Sequence, residues 1–365
     1  MHLLRIRTPW LAFAALLAAC ADNTPEFHAG DPPNRLSDWN LFELSDSVLR
    51  PVTATLPFEP ANTLFTDYAL KLRTLWVPEG ARIKLVDDAF EYPVGTVLSK
   101  TFYYAENQDG LLQGSDTIAS GDRIDLNNAR LMETRLLVRQ PDGWLGLPYV
   151  WNQDETEAFL RIAGTSMPVN LGNGSGQTGF TYFVPNQNQC AGCHVREHPD
   201  GELLPLGAVA RQLAAASSFQ PGISQTDLLV QRGWLEQAPA QLTPAAWSDP
   251  GAELDARARA YLDINCGHCH NPEGAADTSA LMLDAYSNAS LVNMGVCKPP
   301  VAAGGGAGDL QFGIFPGRPE ASILLYRMTS TEPDEMMPEL GRALVHQEGV
   351  ELVSNWIGAM EGSCP

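Results

Sequence analysis

The sequence predicts a multidomain chain of β + α type: an N-terminal antiparallel β-sandwich or barrel-like domain, then a short α segment and a C-terminal all-α domain. Three observations carry this. Between Val52 and Val184, seven β-branched or aromatic runs are separated by Pro, Gly and Asp turns. Ala252–Asn265 and Gln347–Met360 instead repeat apolar residues at helical spacing. Two Cys-x-x-Cys-His motifs mark the change of character, one after the last strand and one at the end of the first long helix. The 365 residues suffice for two or three domains, and 44% hydrophobic against 18% charged residues describes a packed chain. The boundaries expected are 1–19 (targeting segment), 20–35 (tether), 36–185 (β-rich), 186–245 (first motif-bearing segment) and 250–365 (C-terminal domain).

Residues 1–19 read as a signal, not as fold. His2, Arg5 and Arg7 precede the apolar run Trp10–Ala19, which is too short to cross a bilayer. It ends in Leu17-Ala18-Ala19-Cys20, the pattern of a bacterial lipoprotein box, so Cys20 is the expected acylated first residue of an exported lipoprotein. Ala21 carries no inner-membrane retention signal, and the outer membrane is the expected anchor. The following stretch, with Pro25, Pro32 and Pro33, is a flexible tether. Leu36–Leu49 reads as a short helix starting near Ser37.

The strand candidates are Leu75–Val77, Ile83–Val86, Val97–Tyr104, Leu131–Val138, Trp144–Trp151, Phe159–Ile162 and Phe180–Val184. Pro78-Glu79-Gly80, Pro93-Val94-Gly95 and Pro141-Asp142-Gly143 break them with turn chemistry. Trp76, Tyr103, Trp144, Tyr149 and Trp151 are read as core rather than as a ligand surface. Asp154, Glu155 and Glu157 are read as a solvated hairpin loop, not as acid–base pairs.

The chemistry lies in Cys190-Ala191-Gly192-Cys193-His194 and Cys266-Gly267-His268-Cys269-His270. Cys-x-x-Cys-His is the attachment pattern of c-type haem. Two thiols on one turn reach the two vinyl groups, and the next residue sits under the iron as its proximal ligand, giving His194 and His270 that role. The expected cofactors are therefore two covalent haem c groups. A mixed Cys/His zinc cluster is the weaker alternative, since zinc pairs do not require His after the second Cys. A thioredoxin-like pair would need a βαβ context that neither motif has. His268 is read as a spacer.

Of seven cysteines, four go to haem and one to lipid; Cys297 and Cys364 remain, and an exported chain pairs them as a disulfide. Ala252–Asn265, with Leu254, Ala258, Tyr261 and Leu262 on one face, runs into the second motif as the first helix of a cytochrome c does. Gln347–Met360, with Val350, Val353, Trp356, Ile357 and Met360, corresponds to the last. Between them Met336-Met337-Pro338 offers a thioether on a loop, and Met337, directly before the proline, is the expected sixth ligand, with Met336 as the alternative. For the first haem the available ligands are Met167, His198 and His28, or an open position.

The chain resembles a family of exported diheme c-type cytochromes with a β-rich N-terminal half and a C-terminal cytochrome c-like domain. The likeness covers nearly everything after the tether. Besides the haem motifs it rests on Leu64-Phe65-Thr66-Asp67-Tyr68, Phe90–Thr96, Val184–Gln189, Pro205-Leu206-Gly207, Ala260–Asn265 and Met337-Pro338-Glu339-Leu340-Gly341. It implies haem binding and electron transfer and no assigned substrate. The expected function is a periplasmic electron carrier between donor and acceptor redox proteins, held to a membrane by its lipid. The alternative is a diheme peroxidase-like or other small-molecule oxidoreductase with an open first haem. A net charge of −20 argues against nucleic acid as a partner.

Overall fold

The computed structural model describes residues 24–365 except 87–88, 117–120, 173–175, 241–243, 288 and 302–303. The signal segment and Cys20 lie outside the described residues. A long hydrogen-bonded sheet organises the N-terminal half. Its strands are β3 (Leu56–Pro57), β4 (Leu70–Trp76), β7 (Val97–Glu106), β8 (Leu112–Gln113), β10 (Ala129–Gln140), β11 (Gly143–Trp151), β12 (Ala158–Leu160), β13 (Thr165–Gly172) and β14 (Gln177–Val184). Two small sheets flank it: β1 (Phe42–Ser45), β2 (Val48–Pro51) and β9 (Ile124–Asp125) in one, β5 (Lys84–Val86) with β6 (Ala89–Glu91) in the other. Along the large sheet the order is β12-β11-β10-β7-β8-β13-β14, with β4 also paired to β7. The sheet curls into a half-barrel.

Alternation decides which face each residue takes. Leu36, Trp39, Leu136, Val138, Leu147 and Tyr149 close one core. Leu75, Leu98 and Trp144 close another against α2 (Ala210–Leu213) and α3 (Gln225–Gln231). The segment carrying the first motif is thus packed on the sheet. Trp76, Trp144 and Tyr149 are buried, as expected of core aromatics.

The structure corrects two expectations about secondary structure. Leu36–Leu49 is not a helix. After a short 3-10 turn at Leu36–Trp39, β1 and β2 form a hairpin whose central residues Asp46 and Ser47 both have positive φ, 53° and 57°. That is the turn geometry matched to strand twist, and it outweighs a weak helical pattern. Thr165–Gly172 is an added strand; Pro168 is tolerated there because β8 covers only Leu171 and Gly172, leaving the proline on an open edge.

The fold class is corrected as well. The chain is mostly β, with 26% strand against 20% helix, and no all-α cytochrome c-like domain forms at the C-terminus. Among its described residues that region holds three α-helices, α4 (Leu254–Leu262), α5 (Ile323–Thr329) and α6 (Gln347–Gly358). Between α4 and α5 the chain runs through a π turn at Asp263–Gly267, short 3-10 turns and isolated parallel bridges such as Val296↔Ile314. Glycine and proline in this stretch give no continuous apolar face from which to build further helices. The two long helices do cross, burying Tyr261, Leu262, Val353 and Trp356 together. Gly349 permits the approach: a Cβ there would lie 2.2 Å from the Tyr261 hydroxyl.

Candidate haem-binding site

The first motif begins on a 3-10 turn, Asn188–Cys190, that continues into α1 (Ala191–His194). Asn186 and Gln189 pin its start reciprocally. The Asn186 N–H donates to Gln189 Oε1 and the Gln189 N–H to Asn186 Oδ1, both at 2.9 Å. This is the logic of a capping box, and it explains the Asn186-Gln187-Asn188-Gln189 run. Strand β11 makes room for the first thiol, since a Cβ at Gly146 would stand 3.1 Å from Cys190 Sγ.

The second motif starts inside the π turn that ends α4. Asn265, one residue before Cys266, accepts from the Phe65 N–H at 2.9 Å and donates to the Tyr261 carbonyl at 3.0 Å. Asp263 pairs with Arg211, next to α2's start, and accepts from the Ala285 N–H at 2.8 Å. Both motifs are thereby tied to the same framework.

They also meet. Cys269 Sγ donates to the Gly192 carbonyl at 3.1 Å. All four motif cysteines are free thiols. Burial pushes Cys190 up and Cys266 up to about 12, while the mutual interaction of the neighbouring Cys193 and Cys269 thiols lowers the first and raises the second.

Two cavities adjoin the motifs, and residues of both motifs line each of them. Cys190, Cys193 and His194 line one, walled by Leu98, Leu137 and Pro205. Cys269 and His270 line the other, walled by Leu281, Met294 and Leu324, and Cys193, Cys266 and His268 border both. His194 Nδ1 lies 2.7 Å from the Leu204 carbonyl, directly before Pro205-Leu206-Gly207, so that nitrogen is the N–H donor. His270 Nδ1 lies 3.2 Å from Ser279 Oγ. The serine hydroxyl donates to the Ala276 carbonyl at 2.6 Å, so it accepts from His270. Burial lowers both imidazoles to about 4, holding them neutral. Each therefore keeps an unprotonated Nε2, the form that ligates a metal.

Met337 lines both cavities; Met336 lines neither. The Met337 N–H donates to the Arg327 carbonyl at 2.9 Å, and its own carbonyl accepts from Arg342 Nη2 at 2.8 Å. The candidate sixth ligands for the first haem are not assembled. Met167 is on β13, His28 faces the Asp38 carbonyl and the Trp39 ring, and the His198 N–H donates to the Glu273 carbonyl; none lines either cavity. His268, read as a spacer, borders the first cavity with its Nδ1 buried and unpartnered. Among the described residues, no three His, Cys, Asp or Glu side chains converge on a bare metal ion, so the zinc alternative finds no site. A haem asks for less: one imidazole, two thiols and apolar walls, which each cavity supplies.

Residues outside the sequence reading border the first cavity too. His346 is buried, stacked on Phe65 at 4.2 Å, with Nδ1 3.0 Å from the Tyr261 hydroxyl. Arg73, Lys100 and Arg135 project from three adjacent strands. Their only sequence trace is charge inside otherwise apolar strands.

Burial lowers His346 from 6.5 to about 4. Glu348 Oε2, 3.6 Å from Nε2, would favour the charged imidazole, but that carboxylate is partly exposed and already accepts from the Tyr68 hydroxyl, so desolvation wins. Because the folded value lies below the unfolded one, His346 costs nothing above pH 6.5 and destabilises the fold as pH falls towards 4. The expected slope is about 1.4 kcal/mol per pH unit in that window. Denaturant unfolding of wild type and His346→Gln at several pH values measures it; the difference between the two curves vanishes if His346 protonates freely in the fold.

Cys297 and Cys364 are joined in a disulfide across 67 residues, fixing the glycine-rich loop to the tail beyond α6. Among the described residues no helix is long and apolar enough to cross a membrane. No protein-family model, curated protein or solved structure matches the chain.

Proposed function

We propose that the chain is a redox protein of the c-type haem class. Specifically, it is a diheme electron carrier, with one haem on Cys190, Cys193 and His194 and the other on Cys266, Cys269, His270 and Met337. The observation that carries this reading is the meeting of the two attachment motifs at Gly192 and Cys269, beside two adjoining apolar cavities that residues of both motifs line. Haem, once attached, supplies a one-electron couple whose potential follows axial ligand, burial and hydrogen bonding. The protein's part is positioning. Leu204 and Ser279 fix the imidazoles, Arg342 fixes the Met337 loop, and Asn265 with Asp263 fixes the second motif against the β region. Contact between the motifs brings the two redox centres into one path, so electrons enter at one cavity and leave at the other.

Export suits this chemistry, since c-type haem is attached outside the bacterial cytoplasm. In this reading Cys20 carries the lipid, the outer membrane holds the protein on its periplasmic side, and redox proteins serve as donor and acceptor. A second reading, a small-molecule oxidoreductase with an open first haem, draws on Met167, His198 and His28 all lying away from the first cavity, and it requires that His346, Met328 and Met337, which border that cavity, leave the iron free.

The test is direct. Protein exported from a strain with a working attachment system is expected to keep its haem stain after denaturation and to exceed the processed polypeptide by two haem masses. A colourless band of bare mass ends the proposal. The ferric spectrum then separates carrier from enzyme: two low-spin haems mean the former, one high-spin haem the latter.

A further inference from the structure

The large sheet carries an unusual row. Arg73 on β4 pairs with Lys100 on β7, and Lys100 with Arg135 on β10, so three cations stand side by side on one face. Directly opposed like charges destabilise a sheet. All three line the cavity that receives Cys190, Cys193 and His194. Arg135 is compensated: its Nε and Nη2 donate to the buried Glu133 carboxylate at 2.8 and 2.5 Å. The other two are not. Among the described residues neither the Arg73 nor the Lys100 side chain has a hydrogen bond or an ion pair, and Arg73 is only 7% exposed. Lys100 has the Phe102 ring 5.0 Å away, and Arg135 covers the same ring at 4.5 Å. The field of Glu59 reaches Arg73 without forming an ion pair; its Oε2 accepts from Ser218 Oγ at 2.6 Å and its Oε1 is buried without a hydrogen-bond partner.

A nine-tenths buried guanidinium facing a cavity without a partner is costly unless an anion fills the place. The anion must be apolar enough in its body to enter between Leu98, Leu137 and Pro205, and its acid groups must reach the sheet. Free cations and carboxylates match in number: two of the first, and two propionates on one haem. We propose that Arg73 and Lys100, backed by Arg135, form the site for the propionate carboxylates of the haem attached at Cys190 and Cys193. The inference rests on the diheme reading above. In it the half-barrel is the wall that neutralises the first haem's acid edge, which gives the β-rich half a redox role: its cations favour the ferrous state by opposing the ferric charge.

The experiment uses the purified holoprotein, with potentials followed spectroelectrochemically for each haem. The first haem is the one whose spectrum Met337→Ala leaves unaltered. With Arg73→Gln, its ferric-to-ferrous ratio at fixed ambient potential is expected to rise about tenfold, a fall of about 59 mV, while Arg73→Lys moves it less than about threefold. Lys100→Gln is expected to act in the same direction, and it carries the test should Arg73→Gln fail to fold. The second haem should not move. Two haems by mass with the first potential unchanged in both charge-removing variants overturn the assignment. Absence of covalent haem from wild type overturns the diheme reading instead. Titrating ferric wild type with acetate separates the two carboxylate sources. No spectral change that depends on the row is expected; a saturable shift of the Soret band that Arg73→Gln and Lys100→Gln both abolish places a free anion in the row and overturns the propionate assignment.

Discussion

Met337→Ala is expected to abolish the far-red sulfur-to-iron band of the ferric protein and to lower one haem potential by on the order of 0.1 V, a fraction of the range axial ligands span. The covalent haem count should remain two, because on the diheme proposal attachment uses Cys190, Cys193, Cys266 and Cys269 alone. Met337 is anchored through its own backbone on both sides, by Arg327 and by Arg342. Pro338 supplies no N–H, so no helical bond draws the residue away from the cavities it lines. Alanine keeps those backbone bonds and removes only the thioether. Met294 and Met328 also border the second cavity, but both are nearly buried in the core that α4 and α6 share. Persistence of the band in Met337→Ala would transfer the ligand role to one of these.

The contrast between Met337 and the cationic row shows which parts of the site are legible in a sequence. Covalent chemistry has local spacing, so Cys190–His194 and Cys266–His270 stand out, and Met337 is distinguished from Met336 by the proline that follows it. The pairing of Cys297 with Cys364 emerges once five other cysteines are assigned elsewhere. Arg73, Lys100 and Arg135 lie on three strands, and only their register makes them neighbours. No one-dimensional pattern contains that register. The same holds for His346, whose partners Phe65, Tyr261 and Trp247 come from distant segments.

Strands with clear alternation, such as Val97–Tyr104 and Leu131–Val138, lie within β7 and β10. The C-terminal fold class failed for a different reason. Its first and last helices are amphipathic and do form, but periodicity in two helices says nothing about the chain between them. There backbone turns and bridges, not helical faces, bury Leu283 and Ile314. The β1–β2 hairpin was hidden because Asp46 and Ser47, rather than Asn-Gly, make its turn.

Arg342→Ala is expected to cost on the order of 3–5 kcal/mol of stability and to weaken or remove the Met337 band even where the protein still folds. Arg342 is 8% exposed, and its guanidinium donates to the carbonyls of Met337, Arg327, Ser330 and Leu344. Next to it, Asp67 Oδ1 accepts from the Ala343 and Leu344 N–H groups, each at 2.7 Å. This pair of side chains fastens the segment after Met337 to α5 on one side and to the β region on the other. Alanine leaves several inward carbonyls without a donor, and each lost bond to a charged group is worth about 1.5–3 kcal/mol before relaxation. Arg342→Lys discriminates positioning from mere support. Its ammonium keeps the charge, but a point donor cannot span carbonyls that a planar fork reaches together. Arg342→Lys should therefore fold, show a weaker sulfur band, and let added imidazole displace the thioether at lower concentration than in wild type. If Arg342→Lys keeps both the full band and the wild-type imidazole affinity, Arg342 supports the fold without positioning the ligand.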